Sequence, residues 1–472
     1  MSRLWLVIVL VLSLSGCDSA GPDGTPDGAA DGAADGDADG EADGEADGGD
    51  DGDVAVDPAW YEPDPEGRVT EGSIHDAQPE LVIVTSADLE PAWQSYAHYR
   101  ELTGMPTEVV LIEDILESRD GRDDAERLKS YLEEAHAGGI RFALLGGDHE
   151  VIPYRRVEDE TAVPFLGEQY STNGPAQLYF GDLDNDWDAD GDGIWGELDE
   201  DIALADMREV ELFVGRVPTS TEGEVRNYRW KVEAFEFSPE GRETFPLILS
   251  DVAMPMPTGD IDAAVALEIT IEEIFPPLFQ ENALRLYATE RAVADYGGEL
   301  TSPERIQLAL EEEGYTLAFH NGHGTYDMLT NEMDSDYIDH LDNLLAPILL
   351  SCACLTGNFA DVADWPTFNG WHEQSRHGDS AGERFVTGVG GGVAYLGSTA
   401  TGLGALGGSQ LLHSTLEGIF VEGLPTMGEA VAYARAHFHE VEFRIMSMAL
   451  PVTDDTERWT QLVGILLGDP SL

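Results

Sequence analysis

Leu349-Leu350-Ser351-Cys352-Ala353-Cys354-Leu355-Thr356-Gly357-Asn358-Phe359 is an apolar run that breaks into a polar, glycine-containing turn, and Phe319-His320-Asn321-Gly322-His323-Gly324-Thr325 does the same earlier in the chain. A short apolar run without alternation is the pattern of a strand buried on both faces. Strands of that kind belong to parallel sheets whose connections are helices. In open α/β sheets ligands sit outside the carboxyl ends of the strands, so chemistry is expected at these two turns. A thiol at one turn and an imidazole at the other can pair, the imidazole drawing off the thiol proton to leave an attacking thiolate.

Working outward, the same grammar fills the chain. Leu81-Val82-Ile83-Val84, Glu108–Leu111, Phe142-Ala143-Leu144-Leu145 and Leu212-Phe213-Val214 read as strands. Helical patterns lie between and after them at 91–102, with Trp93, Tyr96 and Tyr99 or Ala97 inward, at 122–137 and at about 222–235. The pattern restarts at Pro246-Leu247-Ile248-Leu249, with further strands at 285–288, 316–319, 347–351 and 392–396 and helices at 261–274, 303–312, 408–418 and 427–440. The expected fold class is therefore α/β, two consecutive subdomains over 80–240 and 241–472 with mainly parallel sheets flanked by helices, preceded by a lead-in segment at 59–79.

The chain has 472 residues, 42% of them hydrophobic, with 24 Lys and Arg against 93 Asp and Glu, a formal charge of −69. That balance excludes a nucleic-acid binder working through a basic face, and it attracts divalent cations. Three cysteines, at 17, 352 and 354, exclude a disulfide framework. Arg3 precedes an apolar run, Leu4 to Leu12, too short for a permanent membrane helix, followed by Leu14-Ser15-Gly16-Cys17. Residues 1–16 thus read as a signal peptide. Residues 17–58 form an acidic Ala/Asp/Gly-rich tether, with 15 acids and no base between Asp18 and Pro58.

Leu14-Ser15-Gly16-Cys17 resembles a bacterial lipobox, which implies cleavage before Cys17, its lipidation, and residence in the bacterial cell envelope, on the periplasmic or outer surface. Acyl chains hold a protein on a membrane by about 0.8 kcal/mol per buried methylene. From Glu80 to its end the chain resembles the gingipain family of cysteine endopeptidases, whose fold is caspase-like. The resemblance rests on Leu81–Thr85, on Leu144-Leu145-Gly146-Gly147-Asp148-His149-Glu150-Val151-Ile152-Pro153, on Phe213-Val214-Gly215-Arg216-Val217 and on Gly322-His323-Gly324-Thr325. It rests further on Ala353-Cys354-Leu355-Thr356-Gly357-Asn358-Phe359, Gly397-Ser398-Thr399 and Leu467-Gly468-Asp469-Pro470-Ser471-Leu472.

The resemblance implies a nucleophile at Cys354, a base at His323 and an oxyanion hole formed by the backbone amides of Gly324 and Cys354, acting on protein or peptide substrates without an organic cofactor. Cys352 lies within the apolar run and off the motif, and an i,i+2 disulfide between Cys352 and Cys354 has the wrong Cβ vectors. His320 reads as a packed neighbour, since a His320–His323 metal pair lacks a third ligand. In arginine-specific relatives an acidic residue of a Ser-Asp-Ile-like segment lies at the bottom of the primary pocket. Gly259-Asp260-Ile261 occupies the similar place, so Asp260 is either the pocket carboxylate for an Arg or Lys side chain or the cap of a helix starting at Ile261. Fewer than 80 residues precede the similar region, so no large inhibitory prodomain is expected.

Asp186-Trp187-Asp188-Ala189-Asp190-Gly191-Asp192-Gly193-Ile194-Trp195-Gly196-Glu197 fits a twelve-residue calcium loop with ligands Asp186, Asp188, Asp190, Asp192 and Glu197. A register starting at Asp188 and using Asp190, Asp192 and Asp199 fits as well, and the loop spans 182–201. A structural Ca2+ is expected because aspartates this dense repel one another without a cation. Three readings compete: a membrane-anchored cysteine endopeptidase, a catalytically silent gingipain-like binding or scaffold lipoprotein stabilised by calcium, and a calcium-stabilised structural protein. The presence of both dyad residues favours the first.

Overall fold

The computed structural model describes residues 78–163, 168–197, 200–237, 245–251, 253–254, 261–330, 333–360, 378–445 and 448–472, all within one compact unit. Cys17, the tether, Asp199 and Asp260 lie outside the described residues. Among the described residues no helix is long and apolar enough to cross a membrane.

The apolar runs form an eleven-stranded sheet. In chain order its strands are β1 Leu81–Thr85, β2 Thr107–Leu111, β3 Phe142–Gly146, β4 Phe213–Val217, β5 Leu247–Ser250 and β6 Leu284–Tyr287, then β7 Glu299–Leu300, β8 Leu317–Asn321, β9 Ile348–Ser351, β10 Ala394–Ser398 and β11 Gly464–Gly468. Their order across the sheet is β7-β6-β5-β8-β9-β10-β11-β4-β3-β1-β2. Every neighbouring pair is parallel except β10 and β11. The two α/β units expected from the sequence are present as two parallel blocks, but they share one sheet. The last strand joins them, pairing parallel with β4 and antiparallel with β10.

Both faces of the sheet are buried, which is why its strands lack polar alternation. Leu81, Ile83, Phe142, Leu144, Leu249 and Leu349 pack on one face with Trp93 and Tyr96 of helix Glu90–Leu102 and Tyr228 of helix Glu222–Glu236. Val82, Val84 and Leu145 face the other way, toward Leu128 and Leu132 of helix Asp124–Ala137. Farther along that face Ile248, Phe319 and Leu350 meet Leu267 of helix Ala264–Ile274 and Leu412 of helix Gly408–Phe420.

The terminal Gly-Asp-Pro-Ser segment fastens the joint. Fully buried Asp469 accepts from Tyr96 Oη at 2.6 Å and from Ser471 Oγ at 2.6 Å, and its amide donates to Tyr228 Oη at 2.7 Å. Such a carboxylate is tolerated inside because its lone pairs are filled.

Two elements depart from the pattern reading. The helix expected from Ile261 begins at Ala264, because Ile261–Asp262 pairs with Ala253–Met254 as a short antiparallel ribbon. The helix expected over 303–312 is α-helical only to Leu308 and widens into a π-turn over Ala309–Glu313.

Candidate active site

β8 and β9 are parallel neighbours, and His320 pairs in register with Ser351. His323 and Cys354 each lie three residues beyond that pair, so the register brings both turns out at the same level of one sheet edge. The Cys352 amide donates to the His320 carbonyl at 3.3 Å, carrying the pairing one step past the strands. Gly324 lets the turns touch: a Cβ there would lie 2.6 Å from Thr356 Cγ2 and 2.7 Å from Ala353 Cβ. The motif's glycines thus serve close approach of one turn to the other.

Cys354 is fully buried and His323 partly so. His323 Nδ1 is buried with no hydrogen-bond partner among the described residues. The reading of Cys354 as a nucleophile applies to its reduced thiol. The backbone around it is held tightly. Leu355 N donates to Ala400 O at 2.9 Å and Gly357 N to Ser398 O at 3.0 Å, binding the cysteine turn to the end of β10 and the segment that follows it. Leu355 and Leu403, one on each segment, have φ of 63° and 57°, the only left-handed non-glycine residues among those described. Side chains in that region cost of order 1–3 kcal/mol and persist where surrounding contacts over-determine them.

The neighbouring groups have settled structural roles. His320 is buried, with Nδ1 at 2.7 Å from Ser351 Oγ and Nε2 at 3.2 Å from Asp251 Oδ1. Both ring nitrogens are therefore engaged by protein, which leaves none for a metal shared with His323. Asp251, at the end of β5, is the site residue the sequence reading missed. Its carboxylate abuts Gly322, where a Cβ would fall 1.7 Å from Oδ1. The available signal was an acid directly after the apolar run Leu247–Leu249.

Cys352 is buried, donates to Asn321 Oδ1 at 2.8 Å, and is a free thiol. Burial pushes its pKa up to about 11, so it stays protonated at pH 8. In the reduced, folded protein iodoacetamide at pH 8 is therefore expected to spare Cys352 and to reach it only after denaturation. Peptide mass spectrometry checks this, and rapid native labelling at Cys352 would refute it.

At the mouth of β5 the N-cap of the next helix is Ala263, which has no capping side chain, and Asp262 just before it holds the first helical amide. Its Oδ1 accepts from Ala264 N at 2.9 Å and from Ser250 Oγ at 2.5 Å, and its Oδ2 from Thr289 N at 3.0 Å. Burial raises the Asp262 pKa against these stabilising bonds.

The acidic loop is sorted by its cations. Arg122 pairs with Asp186 at 2.7 Å and Asp188 at 3.0 Å and lies over the Trp195 ring. Ligand atoms of Asp188, Asp190 and Asp201 lie within 4.8 Å of one another, as do those of Asp190, Asp192 and Glu197. Glu197 Oε2 is buried with no hydrogen-bond partner among the described residues, and desolvation followed by the nearby Asp192 raises its pKa. An orphaned carboxylate oxygen among carboxylates is a suitable place for a hard cation that prefers oxygen ligands. Asp201 was not anticipated: it also accepts from the amides of Ala189, Gly196 and Glu197, a role invisible to a twelve-residue template.

The model of peptidase family C25 matches residues 74–472. No curated protein matches. Among solved structures, one titled "Structure of Protease" is similar at a TM-score of 0.58 and 13% identity, covering 85% of this chain and 80% of that one. The complex of the Porphyromonas gingivalis RgpB pro- and mature domains is similar at 0.54 and 15%, covering 83% and 79%. The Arg-specific cysteine proteinase gingipain R is similar at 0.53 and 15%, covering 85% and 79%. At these identities the structures speak to the fold, which is the caspase-like arrangement expected. The family model spans the whole described sheet and both strand-end motifs, and the chain belongs to peptidase family C25, the gingipain family of cysteine-type endopeptidases.

Proposed function

We propose that this peptidase works through a Cys354–His323 dyad, held on a lipid anchor at the bacterial cell envelope. The observation that carries the reading is the equal three-residue step of both residues beyond the paired His320 and Ser351. In the reduced protein His323 takes the Cys354 proton, and the thiolate adds to the scissile carbonyl carbon. The amides of Gly324 and Cys354 receive the developing oxyanion, where one such donor is typically worth about 2.7–4 kcal/mol. His323 then gives its proton to the departing amine, leaving a thioester. Water attacks the thioester with His323 as base, releasing the carboxylic product and restoring the thiol.

Cys17 carries the acyl anchor in this reading, supported by the apolar run and the Leu14-Ser15-Gly16-Cys17 box, with the acidic tether as spacer. Calcium is the structural ion of the acidic loop, and Asp188, Asp190, Asp192, Glu197 and Asp201 would hold it.

Specificity for Arg or Lys before the cut rests on Asp260 as the pocket carboxylate. Asp260→Asn is then expected to lower kcat/KM for Arg and Lys substrates by about 10²-fold or more, since a site built to pair a charge rejects what cannot pair. A peptide-library profile checks it. No basic preference in the unmodified protein would remove the pocket assignment and leave the dyad standing.

A further inference from the structure

The segment after β10 does more than brace the cysteine turn. Gly402 N lies 3.3 Å from Cys354 Sγ with its N–H directed at the sulfur. This approach is built. A Cβ on Gly402 would fall 2.3 Å from the Cys352 carbonyl oxygen and 3.2 Å from Ser398 Oγ, so the amide reaches the sulfur only because the residue has no side chain. The segment's position is fixed from several sides. Leu355 and Gly357 donate to it, Asn358 Nδ2 donates to Thr399 O at 3.0 Å, and Trp459 Nε1 donates to Thr401 O at 2.7 Å. Immediately beyond Gly402 the chain turns through the left-handed Leu403, and Gly402 O accepts from Gly408 N at 3.1 Å. The amide's aim is therefore set by rigid neighbours rather than by a mobile side chain.

We infer that the Gly402 main-chain N–H is a further catalytic group, which donates to the Cys354 thiolate and stabilises it before attack. The inference rests on the dyad reading above. In the reduced protein the same donor meets the thiolate. A hydrogen bond to a charged group is stronger than one to a neutral group, so this contact favours the ionised state and lowers the thiol pKa. It adds a fixed dipole to the help that His323 gives.

The test uses the full-length, reduced chain and two readouts. The first is the pH dependence of Cys354 alkylation by iodoacetamide in the unmodified protein, in Gly402→Pro, which lacks the N–H, and in Leu403→Gly, which keeps it. Gly402→Pro is expected to raise the apparent thiol pKa by about one unit or more, while Leu403→Gly leaves it in place. The second readout needs no change at Gly402. In protein labelled with 15N-glycine, the Gly402 amide resonance is expected to move downfield with the same midpoint as Cys354 alkylation, and to stay still in Cys354→Ala.

An amide resonance that ignores Cys354 ionisation, or a folded Gly402→Pro protein with an unshifted alkylation profile, overturns the inference while the dyad stands. Should Cys354→Ala retain full peptide hydrolysis, the dyad reading itself fails. The two failures are therefore distinct.

Discussion

Cys354→Ala is expected to reduce peptide hydrolysis by at least ~10³-fold, and His323→Ala by a comparable factor, with the double variant little worse than either. The non-additivity follows from the mechanism, since a base without its nucleophile and a thiol without its base have each lost the same step. Cys352→Ala should retain most activity, because its thiol is a protonated donor to Asn321 inside the apolar layer. All three proteins should fold, since the changes fall at or just beyond the ends of β8 and β9 and leave the strand ladder intact. Steady-state kinetics with a peptide substrate, beside circular dichroism, checks the set. Because the attacking group is a thiolate, the assays begin with a thiol reductant.

Calcium removal is expected to give the second largest effect. An ion that binds the folded state alone stabilises it by about 2.7 kcal/mol at a hundredfold excess over its dissociation constant. A chelator should therefore lower the melting temperature by a few degrees, and added calcium should restore it. The side-chain arrangement makes the prediction specific. Asp190 belongs to both carboxylate groups, so Asp190→Asn should abolish the calcium response. Asp186 belongs to neither carboxylate group and pairs with Arg122, so Asp186→Asn should leave the response and cost only part of an exposed ion pair, about 0–1 kcal/mol. A melting temperature indifferent to chelator would mean that residues 182–201 are an acidic turn whose charges Arg122 and the surrounding amides already satisfy.

Much of the fold could be read in advance because a strand buried on both faces has little freedom of composition. Leu81–Val84, Phe142–Leu145, Leu247–Leu249 and Leu349–Leu350 could hardly be anything else, and each is a strand. What stayed hidden depended on contacts remote in sequence. That β11 joins the two blocks is set by its partners in β4 and β10, not by Gly464-Ile465-Leu466-Leu467 itself. The ribbon that delays the helix to Ala264 depends on Ala253 and Met254. The hairpin of Arg156–Val163 with Glu168–Pro175 escaped notice because its residues are mostly polar and lack an apolar run.

The candidate site was legible to a similar depth. His323 and Cys354 announce themselves as chemistry-bearing side chains at strand ends followed by glycine. Asp251 and Gly402 do not, because each meets the site through a neighbour that only folding supplies. Asp251 reaches His320 from the adjacent strand, and Gly402 reaches Cys354 by lacking a Cβ. Asp201 is similar, being drawn to Asp188 and Asp190 by a turn that no ligand template describes.

The most direct measurement is to treat the reduced protein with a peptidyl acyloxymethyl ketone carrying Arg before the reactive group, and to locate the adduct by tandem mass spectrometry. One adduct per chain is predicted, on Cys354, forming far more slowly in His323→Ala and absent in Cys354→Ala. An adduct on Cys352, or hydrolysis that persists undiminished in Cys354→Ala, would contradict the assignment of Cys354 as the nucleophile.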